Sequence, residues 1–213
     1  MKPDLHIVSP QRGRRPTDGL RDRILGVAER VFTEHDFHEV RMDDVAHACG
    51  VAKGTLYLYF PGKRELYLAV LFEGMERLRD ALDLVAKAPG RPLDRLHRMV
   101  ASLLEHLARR RPLLVLLLRR EQQLEPREAR QWLRRRERLS RVVQSAIRRA
   151  IAAGELRPID ARVGEEMLLG VVRGFAFERG ESPAPRRDAE RVMDLFLRGA
   201  GAFRGRALAR RTL

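Results

Sequence analysis

A single cysteine, Cys49, occurs among the 213 residues. That excludes an intramolecular disulfide framework and suits a reducing compartment. Long apolar runs are equally scarce. The longest aliphatic stretch, Leu113 to Leu118, falls far short of the roughly 18 residues a membrane span needs. Met1 to Gly19 holds no apolar run of the secretory kind. Together these absences lead us to expect a soluble, cytoplasmic protein with no membrane partner. The motifs of catalysis are missing too: no glycine-rich phosphate loop, metal box or nucleophile motif is present in the sequence. We therefore expect no enzyme activity and no cofactor. His35 and His38 lie near Glu34, Asp36 and Glu39, but they straddle a predicted helix end and match no zinc spacing, so no metal is expected either.

What is abundant is positive charge. Lysine and arginine number 43 against 29 acidic residues, a net +14, with a pI near 11.2. Such a balance points to a polyanionic partner, either nucleic acid or an anionic surface. Nearly all the cations are arginine. The runs Arg109 to Arg111, Arg119-Arg120 and Arg134 to Arg136 read as solvated helix faces and ends, with an anionic effector as the alternative.

Residues 1–16 are polar, basic and broken by Pro3, Pro10, Gly13 and Pro16, and read as a flexible basic arm. From there the pattern is helical almost without pause. Leu20, Ile24, Val27, Ala28, Val31 and Phe32 recur at three- and four-residue steps, with Thr17 or Asp18 as the cap. A short helix is predicted over Met42 to Cys49, interrupted by Gly50, and another over Lys53 to Tyr59, ended by Pro61-Gly62. A long helix follows from Lys63 to about Ala86. Apolar stripes at Leu139 to Ile151, Val163 to Phe175 and Ala189 to Phe203 mark three later helices, punctuated by Pro112, Pro126, Gly154 and Pro183. No alternating strand pattern or internal repeat appears. The predicted fold class is all-α, with about nine helices.

The informative stretch runs from Arg41 to Lys63. Two short helices about a glycine turn cannot bury their apolar sides alone. Val45, Ala46, Val51, Leu56 and Phe60 are spaced to face the helix of Leu20 to Phe32. That packing leaves the start and outer side of the second short helix free, in the manner of a helix-turn-helix whose second helix enters the major groove. Ala52 and Gly54 are small enough for close approach. Thr55 can hydrogen-bond a base edge or place its methyl on a thymine. Lys53, Lys63 and the hydroxyls of Tyr57 and Tyr59 suit phosphate contacts that set register.

These residues resemble the TetR/AcrR family of bacterial transcriptional regulators. The resemblance runs from about Arg23 to Val70 and rests on Ile24-Leu25, Ala28, Phe32, Asp44-Val45-Ala46, Gly50 to Tyr57, Tyr59-Phe60, Lys63 and Leu66. Two positions depart from it. Asp36 stands where the family usually has glycine, and Arg41 where it usually has a threonine or serine cap. Arg41 cannot accept amide hydrogens, but can reach a phosphate or base.

The resemblance implies a DNA-binding unit over 17–77 and an effector-binding and dimerisation unit over 78–213, with homodimerisation through the last two helices. It also implies a small-molecule effector and double-stranded DNA as partners, and a repressor released from a near-palindromic operator. The candidate effector lining is His97, Leu103, His106, Leu117 and Trp132. His97 and His106, nine residues apart, do not face each other at ligating distance. Gly170, Gly174, Gly199 and Gly201 are candidates for close helix approach at the dimer seam. Cys49 is expected to be a small core residue. The alternative function is nonspecific or architectural DNA binding, supported by the net charge and by Arg12, Arg14 and Arg15.

Overall fold

The computed structural model describes residues 18–109, 124–179 and 185–200. The basic arm, the Leu113 to Leu118 run with Leu117, Arg119-Arg120, Gly201 and Phe203 lie outside the described residues. Within them the chain is helical, with no strand. The helices are α1 (Asp18–Glu34), α2 (Met42–Cys49), α3 (Lys53–Tyr59), α4 (Lys63–Lys87), α5 (Pro92–Arg109), α6 (Pro126–Ala152), α7 (Ala161–Arg179) and α8 (Pro185–Ala200). These eight agree with the all-α expectation of about nine. The limits of α2 and α3 fall where the glycine and proline punctuation put them.

Local chemistry sets several helix ends. Pro126 occupies the first turn of α6, where a missing amide hydrogen costs nothing. The Glu128 carboxylate reaches back to accept the Glu125 amide at 2.8 Å, one half of a capping box. The same helix stops at Gly154, whose φ of 71° is left-handed, and the Glu155 amide donates back to the Ala150 carbonyl at 2.9 Å. Asp160 caps α7 by accepting the amides of Arg162 and Val163 at 2.8 and 3.1 Å. Those backbone bonds hold its carboxyl below the usual range.

Two apolar cores divide along α4. The first joins Ile24, Leu25, Ala28 and Phe32 of α1 with Val45 and Ala46 of α2, Leu56 of α3, and Leu66, Val70 and Leu71 of α4. Phe37 and Tyr67 close it beside Phe32 through edge-on and stacked ring contacts at 5.1 to 6.0 Å. The second joins Leu78 and Leu82 of α4 with residues of α5 to α8, including Leu96, Met99, Ile147, Leu168, Val192 and Phe196. One helix thus belongs to both cores. Glu165, only 5% exposed, lies between α6 and α7 and accepts hydrogen bonds from Ser140 (2.8 Å) and Gln144 (3.3 Å). Neutral donors satisfy this buried carboxylate.

Candidate nucleic-acid interface

The geometry of α3 begins with the turn before it. Gly50 has φ 64° and ψ 38°, a conformation that costs other L-residues roughly 1–2 kcal/mol. Its amide donates to the His47 carbonyl at 2.9 Å, and the Val51 amide to the Ala46 carbonyl at 3.0 Å. This closes α2 with a Schellman-type end and turns the chain sharply into Ala52. Ala52 then accepts the amides of Thr55 and Leu56 at 2.9 and 3.2 Å, which starts α3. Arg41, at the corresponding position of α2, makes no side-chain cap, as its chemistry led us to expect. Its side chain is exposed instead.

Leu56 anchors α3. It is fully buried, with Phe60 just beyond the helix 4% exposed. Replacing Leu56 with alanine would cost about 2–5 kcal/mol and loosen the helix from its support. At about 100° per residue, that anchor sends Gly54 and Leu58 directly outward, with Lys53 and Tyr57 on one flank and Thr55 and Tyr59 on the other. Exposure follows the wheel. Ala52, Lys53, Gly54, Tyr57 and Leu58 are exposed, while Thr55 and Tyr59 are half-buried. A Cβ added at Gly54 would meet nothing within 4 Å. The packing of the chain itself therefore does not require glycine there.

The two tyrosines are not equivalent. Tyr57 is 40% exposed, with the Lys53 ammonium 6.0 Å from its ring centre. Tyr59 packs partly against the first core. Lys53 also forms an exposed ion pair with Asp43 at 2.9 Å, and that hydrogen bond raises its pKa. Such a pair is weak in water, so Lys53 can exchange the carboxylate for a phosphate at little cost.

Lys63 has a different situation. Its ammonium donates to the carbonyls of Phe37 (2.7 Å), Val40 (2.8 Å) and His38 (3.2 Å) and stands 4.6 Å from the centre of the Phe37 ring. All three donors are thus spent inside the chain. Lys63 ties the loop between α1 and α2 to the start of α4. Its neighbour Arg64 reaches the other way. Its Nε and Nη2 grip both Glu128 oxygens at 3.0 and 2.6 Å, which holds the Glu128 carboxyl below the usual range. The first turn of α4 is therefore fastened to the loop before α2 by one cation and to α6 by the next. Leu58, Arg64 and Glu128 were not singled out from the sequence. The wheel position opposite Leu56 signals Leu58; nothing local signals a pair 64 residues apart.

The described effector candidates do not converge. His97, Leu103 and His106 lie on α5, where Leu103 is 3% exposed in the second core and the two histidines are half-buried. The His97 Nε2 is enclosed and meets no hydrogen-bond partner among the described residues. Trp132 packs instead against the first core together with Leu124. A cavity of about 390 Å³ opens between α1, α4 and α6, with Leu68, Ala69 and Phe72 on its apolar side and Glu73, Glu128 and Arg135 among its charged walls. Among the described candidates, His97, Leu103, His106 and Trp132 do not line it. Gly199 approaches α7 within the same subunit, since a Cβ there would meet the Met167 methyl at 2.6 Å. Cys49 is buried, which pushes its thiol pKa up. Among the described residues no three histidine, cysteine or acidic side chains gather as a metal site. No described helix is long and apolar enough to cross a membrane.

A tri-helical head with a glycine turn and an outward second short helix defines a helix-turn-helix protein. Residues 24–70 match the family model for bacterial regulatory proteins of the tetR family, and residues 89–200 match that for the tetracyclin repressor-like C-terminal domain. The chain belongs to the TetR family of transcriptional regulators. It is 42% identical over 69 residues to the HTH-type transcriptional activator FasR of Mycolicibacterium smegmatis, covering 32% of each chain. It is 38% identical over 94 residues to the HTH-type transcriptional repressor KstR of the same organism, covering 44% of this chain and 46% of that one. The chain thus spans from about a third to just under half of the length of these curated relatives. The crystal structure of the regulator FadR from Bacillus subtilis, in complex with stearoyl-CoA, superposes with a TM-score of 0.69 at 18% identity over 84% of this chain and 98% of that chain, a likeness of fold.

Proposed function

We propose that this protein is a homodimeric, sequence-specific DNA-binding repressor, released from a near-palindromic operator by a small-molecule effector, and not an enzyme. The observation that carries this reading is the outward line of α3, with Gly54 in open space and Leu56 fixing the opposite side. Arg41, Ala52, Lys53, Gly54, Thr55 and Tyr57 are the residues we assign to DNA, with Tyr59 supporting the helix and its flank. Lys63 is assigned to the loop it clamps. The DNA-binding unit extends over 17–77 and the effector and dimer unit over 78–213, the division falling inside α4 between its two cores.

Dimerisation is assigned to α7 and α8. Val163, Met167, Gly170 and Gly174 follow one face of α7 at steps of four, three and four. Val163 is 61% exposed, Met167 39%, and Leu195 on α8 51%. Gly170 and Gly174 have open space where a Cβ would stand, which lets a second copy approach closely. Paired subunits would present two α3 helices to successive major-groove faces, so operator symmetry should mirror protein symmetry.

A larger effector than the candidate histidines suggest is consistent with the FadR neighbour, whose structure holds stearoyl-CoA. Any such ligand must bind the DNA-incompetent arrangement more tightly, or no release follows. Selection of bound duplexes from a random pool tests the reading. A near-palindrome with half-sites about one turn or more apart supports it. Equal affinity for selected and random duplexes across a salt titration would mean nonspecific binding instead.

A further inference from the structure

We propose that Leu58 reads the 5-methyl group of a thymine in the operator, an inference that rests on α3 entering the major groove as argued above. Leu58 is 72% exposed. Single exposed leucines are ordinary on protein surfaces, but this one occupies a special line. It stands two residues beyond the buried Leu56 and four beyond Gly54, so Gly54 and Leu58 form the ridge of α3 farthest from its support. Gly54 offers no side chain, and the space beyond it is open. The ridge is therefore a notch followed by an aliphatic knob, flanked by Tyr57 and Lys53.

The chemistry of that knob restricts what it can recognise. A leucine side chain has no donor or acceptor, so it cannot read the hydrogen-bonding edges of guanine, adenine or cytosine. The apolar group displayed in the major groove is the thymine methyl. Burying one methyl against another apolar surface corresponds to roughly fourfold in affinity per half-site. A helix rising about 1.5 Å per residue separates Leu58 from Gly54 by about 6 Å. With α3 lying along the groove, the thymine stands about two base-pair steps from the pair faced by Gly54. The notch admits the backbone close to the base edges, and the knob then fills the methyl-lined step beside it.

The test uses the full chain and the duplex selected from a random pool. Each thymine is replaced in turn by deoxyuridine, which removes the methyl and leaves pairing and hydrogen-bonding edges intact. The expected result is one thymine per half-site whose replacement weakens wild-type binding about fourfold, and about sixteenfold when both half-sites are changed. Leu58→Ala, an exposed substitution that favours helix, should abolish that sensitivity and leave binding to random duplex unchanged. If wild type binds the selected duplex tightly but no deoxyuridine effect disappears in Leu58→Ala, the inference fails while the DNA-reading role stands. Loss of the same sensitivity in Thr55→Ala but not in Leu58→Ala would assign the methyl to Thr55 and overturn it. If no consensus emerges from the pool, the DNA-reading role and the inference fall together.

Discussion

Replacing Lys63 with methionine separates two physical roles for one side chain. Methionine keeps an unbranched apolar stem and deletes only the ammonium. The carbonyls of Phe37 and Val40 are bonded in partly buried surroundings, and that of His38 in an exposed one. Hydrogen bonds from a charged donor are worth about 1.5–3 kcal/mol each before screening. Counting the two sheltered bonds, discounting for the partial exposure of the lysine, and ignoring the third gives a loss of about 2–4 kcal/mol. With a urea slope of about 2–3 kcal/mol per molar, the unfolding midpoint should drop by about 1 M at fixed protein concentration, with the slope unchanged. Operator binding by the folded variant should keep the wild-type dependence on salt, because no phosphate contact has been removed. A midpoint that stays put, together with a salt slope lower by about two per dimer, would refute this reasoning and return Lys63 to the phosphate backbone.

Three other perturbations probe separate links. Gly54→Ala should raise stability by up to about 1 kcal/mol, since the helix gains propensity and the new methyl meets nothing, yet weaken operator binding. Gains in both would mean that DNA does not approach that ridge. For Glu128→Gln the pH dependence is diagnostic. Arg64 lowers the folded pKa of Glu128, so its stabilisation is complete above the unfolded value of about 4.3 and vanishes as the pH falls through the depressed folded value. Acid titration of unfolding should show that loss in wild type and less of it in the variant; identical acid profiles would contradict the pairing. Val163→Glu places charge on an exposed apolar site and should give monomers by light scattering, with weaker operator binding. A dimer undiminished at the same concentration would move the seam elsewhere.

Much of the reading head was legible in the sequence because its signals are local. Gly50 and Pro61-Gly62 punctuate α2 and α3, and Val45, Ala46, Leu56 and Phe60 repeat at helical steps that leave one face for the core. The bonds of Lys63 to three carbonyls were not legible. A lysine at a helix start looks the same whether it faces phosphate or reaches carbonyls 23 to 26 residues earlier, and only tertiary placement decides. The same holds for Trp132. It was expected to line an effector site, and which core receives it depends on how α6 lies along α4. The Arg64–Glu128 fork links residues whose separation no helical period encodes. Leu58 is the opposite case, a position the wheel fixes as outermost and whose apolar chemistry drew no attention to groove contact.

Dimethyl sulfate protection on the selected operator puts the outward face of α3 to the most direct test, because guanine N7 lies in the major groove and adenine N3 in the minor. The expected pattern is two blocks of protected guanine N7, symmetric about the operator centre, weakened in both blocks by Gly54→Ala. Protection confined to adenine N3, or a pattern indifferent to that substitution, would contradict docking of α3 in the major groove.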